Sequence, residues 1–234
     1  MLSVADLVVT YGGVTAVDRM TMEMGESSVH GLIGPNGAGK STALNAMTGV
    51  TRPDRGSVTL DGKQLIGLSP ASILFAGVAR TFQQARLWGG MTVFQNLTVP
   101  VLSSGRSQAR SRAEEVAAIL GFSDLLDDYA SGLAFGVRRL VEVGRAMMTE
   151  PRLMLLDEPG AGLTVTEKLK LVDVLRRLAD LGTGVLLVDH DMDLVMRSCQ
   201  RVTVLDAGSV IFEGTPDEVR NDDQVLAIYL GGNT

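Results

Sequence analysis

Residues 29–42 read Val29-His30-Gly31-Leu32-Ile33-Gly34-Pro35-Asn36-Gly37-Ala38-Gly39-Lys40-Ser41-Thr42. The apolar run Val29–Ile33 predicts a short strand, and the loop after it fits the pattern Gly-x-x-x-x-Gly-Lys-Ser/Thr. Glycines allow such a loop to wrap closely enough that successive backbone N–H groups point at one anion. A loop of this length directly after a strand therefore predicts a phosphate cradle.

The residues that follow the cradle indicate its ligand. A helix predicted to begin near Lys40 adds unpaired N–H groups and a positive dipole end. Lys40 places a charge beside the β- and γ-phosphates, and the Ser41 hydroxyl suits Mg²⁺. We therefore expect a nucleoside triphosphate with Mg²⁺, rather than a glycine-rich turn that binds nothing. The candidate contacts are Gly34, Pro35, Asn36, Gly37, Ala38, Gly39, Lys40, Ser41 and Thr42.

Composition narrows the class of protein. The 234 residues suffice for one large domain, or for a domain with a small lobe, and can bury a core. Apolar runs such as Leu153–Leu156 are far shorter than the roughly 18 residues of a membrane span, so we expect no such span. The N-terminal residues do not resemble a signal peptide. A single cysteine, Cys199, allows no internal disulfide, which fits a cytoplasmic location.

The net charge of −6 argues against a nucleic-acid partner. Arg106, Arg110 and Arg112 form the nearest approach to a basic patch. Their spacing favours one face of a solvated helix over a binding surface.

A strand ending in acids is predicted further along the chain. Leu153–Leu156 is a continuous apolar run, typical of a parallel strand covered on both faces, and Asp157 and Glu158 close it. Ligands bind at the carboxyl ends of such strands. Asp157 then suits Mg²⁺ through water, and Glu158 suits a general base that polarises an attacking water. The alternative is a pair of N-cap acids.

Three other side chains are candidates for the same site. His190 follows the predicted strand Val185–Val188, where a neutral imidazole can contact a γ-phosphate. Gln83 ends a short predicted strand that begins at Val78, and its amide can reach a metal ion or a water. Tyr11 precedes the cradle, and its ring can either stack on a purine or pack in a hairpin. His30, inside the strand before the cradle, is interpreted as structural.

The remaining pattern divides the chain. Alternating apolar residues near both ends predict strands, whereas residues 88–150 carry helical spacing and a capping-box pattern at Thr92 and Gln95. Within this helical insertion, Gly136 lies at a predicted helix start. That position is either a second anion site or an ordinary helix cap.

In this order, the motifs resemble the ATP-binding subunit of an ABC transporter along essentially the whole chain. The resemblance implies an α/β P-loop domain over residues 1–234, with a mostly parallel sheet core, an antiparallel β subdomain and a helical subdomain. The core and the β subdomain take residues 1–87 and 151–234. The helical subdomain takes residues 88–150.

The resemblance also implies a role for each candidate residue. Tyr11 stacks on the adenine of ATP, and Gln83 senses Mg²⁺ and the membrane partner. Glu158 is the catalytic base and His190 the γ-phosphate switch. Two subunits clasp two ATP molecules, and the turn at Gly136 completes the partner's site. The implied metal residues are Ser41, Gln83 and Asp157.

Several segments look most like the ATPase of branched-chain amino acid importers: Arg80-Thr81-Phe82-Gln83, Leu133-Ala134-Phe135-Gly136, the loop after Glu158, and the terminal Tyr229-Leu230-Gly231. Related ATPases serve urea, amides and lipopolysaccharide export. A soluble ABC ATPase is disfavoured, since the chain shows neither tandem domains nor a long coiled coil. A small-molecule kinase would leave Gly136 and His190 unexplained.

The implied partners are two transmembrane permease subunits, a second ATPase subunit and, indirectly, a solute-binding protein. The chain would then lie at the cytoplasmic face of the membrane.

Ala134, Phe135 and Val137 depart from the usual Leu-Ser-Gly-Gly-Gln signature, and Thr164 replaces a common aspartate. These departures favour a heterodimer, in which an intact partner supplies the better half-site. Trp88 is either a permease anchor or a buried side chain of the helical lobe.

Overall fold

The computed structural model describes residues 1–81, 87–101 and 106–230. The strands are β1 Leu2–Tyr11, β2 Val14–Met24, β3 Val29–Ile33, β4 Arg55–Leu60, β5 Lys63–Gln64, β6 Val78–Arg80, β7 Leu153–Asp157, β8 Gly184–Val188, β9 Arg201–Asp206 and β10 Ser209–Gly214. The α-helices are α1 Lys40–Met47, α2 Pro70–Phe75, α3 Val93–Thr98, α4 Arg106–Leu120, α5 Phe135–Met147, α6 Val165–Asp180, α7 Met192–Ser198, α8 Pro216–Asn221 and α9 Asp223–Leu230. Short 3-10 turns cover Val99–Val101, Ser123–Leu125 and Ala130–Gly132.

A six-stranded sheet in the order β10-β9-β3-β8-β7-β6 forms the centre of the fold. β3, β6, β7, β8 and β9 run parallel to their neighbours, and β10 pairs antiparallel with β9. Every residue of β3, β7 and β8 is buried, which is why these strands read as continuous apolar runs. The carboxyl ends of the parallel strands meet at one edge of the sheet, which therefore gathers the residues that follow β3, β7 and β8.

The two faces of this sheet are covered by different layers. Along β7, Met154 and Leu156 pack in a core with α4, α5 and α6, whereas Leu153 and Leu155 pack in a core with α1 and the antiparallel strands. Successive strand residues point to opposite faces, so one five-residue strand contributes to both cores.

The antiparallel sheet has the order β2-β1-β4-β5. Gly12 and Gly13 join β1 to β2 in a turn, with φ angles of 54° and 87°. Bulges in the β1–β2 register accompany this hairpin. Its second strand passes beside the phosphate cradle.

Helices dominate the described residues between Trp88 and Glu150. The predicted capping box at the start of α3 is confirmed, because Thr92 and Gln95 exchange side-chain and backbone hydrogen bonds. α4 ends before Gly121, whose φ is 78°. The division of the chain at residues 88 and 150 stays a prediction.

The short strand before Gln83 differs from the prediction. β6 ends at Arg80 rather than running to the two glutamines, and Gln83 itself lies outside the described residues. Thr81 still donates its N–H to the carbonyl of Leu155 at 3.0 Å, but it no longer belongs to the strand.

Two arginines of the suspected helix face are ion-paired. Arg110 pairs with Glu114 at 2.8 Å, and Arg112 pairs with Glu115 at 2.7 Å. The guanidinium of Arg110 also lies over the ring of Phe94.

Among the helices that the structure describes, none is long and apolar enough to cross a membrane.

His30 is a buried side chain of β3. Its Nε2 lies 2.8 Å from the Thr203 hydroxyl of β9. Burial lowers the pKa of His30 from 6.5 to about 4, and the charge of Arg201 acts in the same direction. The imidazole is therefore neutral at physiological pH, in agreement with the structural role predicted for it.

The pKa of His30 generates a prediction about stability. Because the unfolded state binds this proton more tightly, the free energy of unfolding should fall as the pH drops from 6.5 to about 4. The loss from this group should be about 2–3 kcal/mol by pH 4.5. His30→Gln removes the titration and retains a partner for Thr203, so urea unfolding at pH 7 and pH 4.5 should show a smaller difference. Equal differences in both proteins would contradict this account.

Candidate nucleotide site

Two close approaches fix the path of the loop after β3. A Cβ at Gly34, whose φ is 151°, would lie 2.1 Å from the carbonyl oxygen of Leu205 at the end of β9. A Cβ at Gly39, whose φ is 101°, would lie 2.3 Å from the carbonyl oxygen of Ala16 in β2. Only glycine fits at these two positions. The loop is therefore held between the parallel sheet and the hairpin.

Lys40 begins α1 and turns back over the loop. Its Nζ donates to the carbonyl oxygens of Gly34 at 2.7 Å and of Pro35 at 2.9 Å. Burial lowers the pKa of Lys40, and the nearby carboxylates of Glu158 and Asp157 oppose that shift. The ammonium group therefore lies inside the cradle, bound to two backbone carbonyl oxygens.

The loop surrounds a cavity of about 270 Å³. Glu158 reaches this cavity from the end of β7, and Ala16 borders it from the hairpin. The complete lining is Ala16, Asn36, Gly37, Ala38, Gly39, Lys40, Ser41, Thr42 and Glu158. The structure therefore brings the predicted cradle and one predicted acid to the same space.

Asp157 is held by an arginine that the sequence analysis gave no role. Arg80, at the end of β6, donates from Nη2 to Oδ2 of Asp157 at 2.9 Å, and both side chains are nearly buried. Its Nη1 donates to the Asn45 side-chain oxygen at 2.7 Å and reaches the Thr48 hydroxyl at 3.2 Å. One guanidinium therefore ties the acid of β7 to helix α1. In the sequence, the only indication of this role of Arg80 is that a basic residue ends an apolar strand.

Glu158 has an uncommon backbone conformation. Its φ is +50°, a left-handed value that costs about 1–3 kcal/mol when the residue is not glycine. Its N–H donates to the carbonyl of Val188 at 2.7 Å, which ties it to the end of β8. The side chain of Glu158 is 19% exposed, and the residue borders the cavity.

His190 lies next to Glu158, as the sequence predicts. Its Nδ1 is 3.8 Å from Oε2 of Glu158 and 3.8 Å from Oδ1 of Asp189. The imidazole is 61% exposed and is accessible to a ligand. The strand-end acid and the strand-end histidine are thus brought together, while Asp189, which the sequence analysis missed, lies behind them.

Tyr11 and Gly136 lie outside the lining of the cavity. Tyr11, at the tip of the hairpin, is about half exposed, and its hydroxyl lies 2.9 Å from that of Thr51. Gly136 is buried at the start of α5, against the side chain of Glu167. Gln83 lies outside the described residues.

Thr164 has a local structural role. It is the N-cap of α6 and forms a capping box with Glu167. A Cβ at Gly136 would lie 2.2 Å from Oε1 of that glutamate, so α5 and α6 begin in direct contact. Phe135 of α5 makes a second contact, with Gly162 in the loop before α6. The two are so close that a Cβ at Gly162 would lie 2.9 Å from the ring of Phe135.

A sequence profile of the family described as "ABC transporter" matches residues 17–161, which is more than half of the chain. The chain belongs to the ABC transporter family. A second profile, "Branched-chain amino acid ATP-binding cassette transporter", matches residues 209–233 of this ABC protein. The protein is accordingly an ATPase.

Curated relatives match this ABC protein over nearly its full length. It is 37% identical to the high-affinity branched-chain amino acid transport ATP-binding protein LivG of Salmonella typhimurium, over 99% of the chain and 98% of the relative. It is 34% identical to BraF, which has the same description, from Pseudomonas aeruginosa, with the same coverage. The lipopolysaccharide export system ATP-binding protein LptB of Haemophilus influenzae is 32% identical over 99% of the chain and 97% of the relative.

Solved structures of the family share the fold. An ATP-binding cassette of an ABC transporter in its ADP conformation superposes with a TM-score of 0.90 and 29% identity, covering 99% of this chain and 98% of that one. A nucleotide-free cassette gives a TM-score of 0.86 and 29% identity over 98% of both chains. The predicted α/β fold with a parallel core and an antiparallel sheet is confirmed.

The close approach at Gly39 generates a prediction about nucleotide affinity. Gly39→Ala should weaken ATP binding at least about tenfold, because the loop must shift to relieve both the left-handed φ and the contact with Ala16. Gly13→Ala is the matched control, since its φ is also positive, at 87°, but a Cβ there meets open space. Titration with a fluorescent ATP analogue should show the loss in the first variant only. Equal affinities in two folded variants would contradict the proposed loop geometry.

Proposed function

We propose that this chain is the ATP-hydrolysing, energy-coupling subunit of an ABC importer for branched-chain amino acids or a related small polar solute. The observation that carries the proposal is the match of residues 209–233 to a profile specific to branched-chain amino acid cassettes. The full-length similarity to LivG and BraF supports it. ATP-driven closure of two ATPase subunits would then move the permease.

The site residues divide the work of binding and hydrolysis. In this proposal, backbone N–H groups of the loop and the Lys40 ammonium hold the phosphates, and Tyr11 stacks on the adenine. Glu158 accepts the proton of the attacking water as general base. His190, beside Glu158, contacts the γ-phosphate. Gly136 completes the site of a second ATPase subunit.

The donor atoms fit Mg²⁺. Ser41, at the start of α1, borders the cavity and offers a hydroxyl. Asp157, whose Oδ2 is held by Arg80, is proposed to contact the ion through water. Mg²⁺ bound with a triphosphate needs only one or two protein oxygens. Gln83 is the third proposed contact. The ion would neutralise charge on the phosphates.

A groove beside Trp88 is the proposed contact with the permease. Trp88 is 47% exposed, so the alternative of a fully buried tryptophan is wrong. Its ring lies over the guanidinium of Arg145, 5.2 Å from Cζ to the ring centroid. We name as the Trp88 groove the space of about 230 Å³ lined by Leu74, Ala79, Arg80, Trp88, Val99, Pro100, Glu142, Arg145, Ala146 and Thr149.

The Trp88 groove has features of a docking site. Its lining is mainly apolar, and tryptophans are frequent anchors of interfaces. It also lies between β6, which leads towards Gln83, and α5, which begins at the signature turn. A permease segment bound there would contact both elements.

We place the chain at the cytoplasmic face of the membrane, with two permease subunits and, indirectly, a solute-binding protein.

The signature turn supports a heterodimer. Ala134 is the N-cap of α5 and offers no hydroxyl where the common signature has serine. The backbone N–H groups of Gly136 and of the first turn of α5 are the donors proposed in place of that hydroxyl. A different ATPase subunit with an intact signature would complete the site of this chain more effectively than a second copy.

The role of Glu158 generates a prediction about hydrolysis. Glu158→Gln keeps the shape of the side chain but cannot accept a proton, so hydrolysis should fall by about 10² or more. ATP affinity should stay within about twofold of the wild type, because the phosphates are held by the loop. Steady-state phosphate release and equilibrium binding together measure both quantities. Wild-type turnover in this variant would remove Glu158 from the mechanism.

The Trp88 groove generates a prediction about assembly. Trp88→Ala should weaken association with the permease at least about tenfold, because interface tryptophans carry much of the binding energy. ATP binding by the isolated chain should be unchanged. The control is Leu181→Ala, which removes another exposed apolar side chain outside the groove. Co-purification from native membranes in mild detergent measures the association, and equal recovery of permease with both variants would contradict the docking proposal.

A further inference from the structure

Asp189 is a buried carboxylate at the end of β8. Its side chain has 0% exposure, although the next residue, His190, is largely exposed. Oδ2 accepts the backbone N–H of Gly160 at 3.0 Å, and Oδ1 accepts the backbone N–H of Asp191 at 3.0 Å. The two oxygens therefore bind two different loops, one after β7 and one after β8.

Gly160 is shaped to receive this carboxylate. A Cβ at position 160 would lie 2.9 Å from Oδ2 of Asp189 and 2.5 Å from Cδ2 of Leu194. Real Cβ atoms do not approach other atoms so closely, so any larger residue would displace the carboxylate or the leucine. Glycine at 160 and aspartate at 189 are thus complementary across the boundary between the two loops.

The carboxylate acts on both sides of the hydrolytic site. Glu158 precedes Gly160 by two residues and holds a left-handed φ of +50°, which persists only where neighbouring contacts enforce it. The contact with Val188 anchors Glu158 on one side, and the contact between Gly160 and Asp189 anchors the loop on the other. His190 is joined directly to Asp189, so both functional side chains depend on one buried group.

A second contact extends this arrangement to α6. The N–H that Oδ1 accepts belongs to Asp191, which caps α7 and pairs with Lys168 of α6. Burial raises the pKa of Asp189, and the N–H donors of the two loops oppose that shift. A carboxylate suits this place because each of its two oxygens faces a backbone N–H donor, and a carboxylate oxygen is an acceptor.

We propose that Asp189 is a positioning residue for ATP hydrolysis, which locks the Glu158 loop to the His190 turn by accepting one backbone N–H from each. The inference rests on the roles proposed for Glu158 and His190. Asp189 itself touches neither the nucleotide nor the water in this account. Its loss should therefore reduce the rate of the chemical step and leave the binding of ATP intact.

The test compares two Asp→Asn variants. Asp189→Asn turns an NH₂ group towards one of the two N–H donors and breaks that contact. We expect kcat for ATP hydrolysis to fall about tenfold or more, because small displacements of catalytic groups are costly, with KM within about twofold. Asp193→Asn is the control, since this carboxylate is 74% exposed and pairs only with Arg197 among the described residues. It should leave kcat unchanged.

A second variant approaches the same contact from the other side. Gly160→Ala inserts a methyl group against Oδ2, so it should also lower kcat, and the double variant should be no worse than the more severe single one. Additive losses in kcat would indicate independent effects and overturn the proposal. So would a folded Asp189→Asn protein with wild-type kcat, or one whose loss lies in KM alone.

Amide hydrogen exchange provides a readout that does not need hydrolysis. The Gly160 N–H should exchange faster in Asp189→Asn than in wild type or Asp193→Asn, with the amides of β7 unchanged. Equal exchange would reject the lock even if the rate changed. A wild-type protein that binds ATP and hydrolyses none in its assembled complex would instead overturn the proposed function, and the catalytic purpose of Asp189 with it.

Discussion

The phosphate-binding loop depends on one steric constraint, the passage of its backbone between two carbonyl oxygens. The carbonyls of Leu205 and Ala16 leave no room for a Cβ at Gly34 and Gly39. Leu205 belongs to the parallel sheet and Ala16 to the antiparallel hairpin, so the loop takes its shape only when both sheets are in place. The cradle for the nucleotide is therefore a product of the whole fold rather than of the motif alone.

Buried charges then set the chemistry at the same edge. Asp157 shares a nearly buried ion pair with Arg80, and Asp189 accepts backbone N–H groups from two loops. Both acids are held by fixed partners, whereas Glu158 and His190 keep exposed surface. A buried group held by fixed partners can orient its neighbours, and a group with exposed surface can contact a ligand. At this edge of the sheet, Asp157 and Asp189 position neighbouring groups, and Glu158 and His190 are accessible to a ligand.

Local patterns predicted much of this arrangement. The strand before the cradle, the start of α1, the acids after β7, the histidine after β8 and the capping box of α3 all follow from short stretches of sequence. The pairing of Arg80 with Asp157 joins residues 77 positions apart, and that of Asp189 with Gly160 joins residues 29 apart. Such contacts depend on strand order, which periodicity does not encode. The early end of β6 likewise depends on tertiary context.

The most direct measurement of the central claim is an isothermal titration of the purified chain with ATP and Mg²⁺, alongside Lys40→Ala. The account predicts saturable binding of one nucleotide per chain, and its loss in the variant, because the Lys40 ammonium lies inside the phosphate loop. A folded wild-type chain that binds no ATP would contradict the account. So would a Lys40→Ala chain that binds ATP as tightly as the wild type, since the cradle would then not be the site.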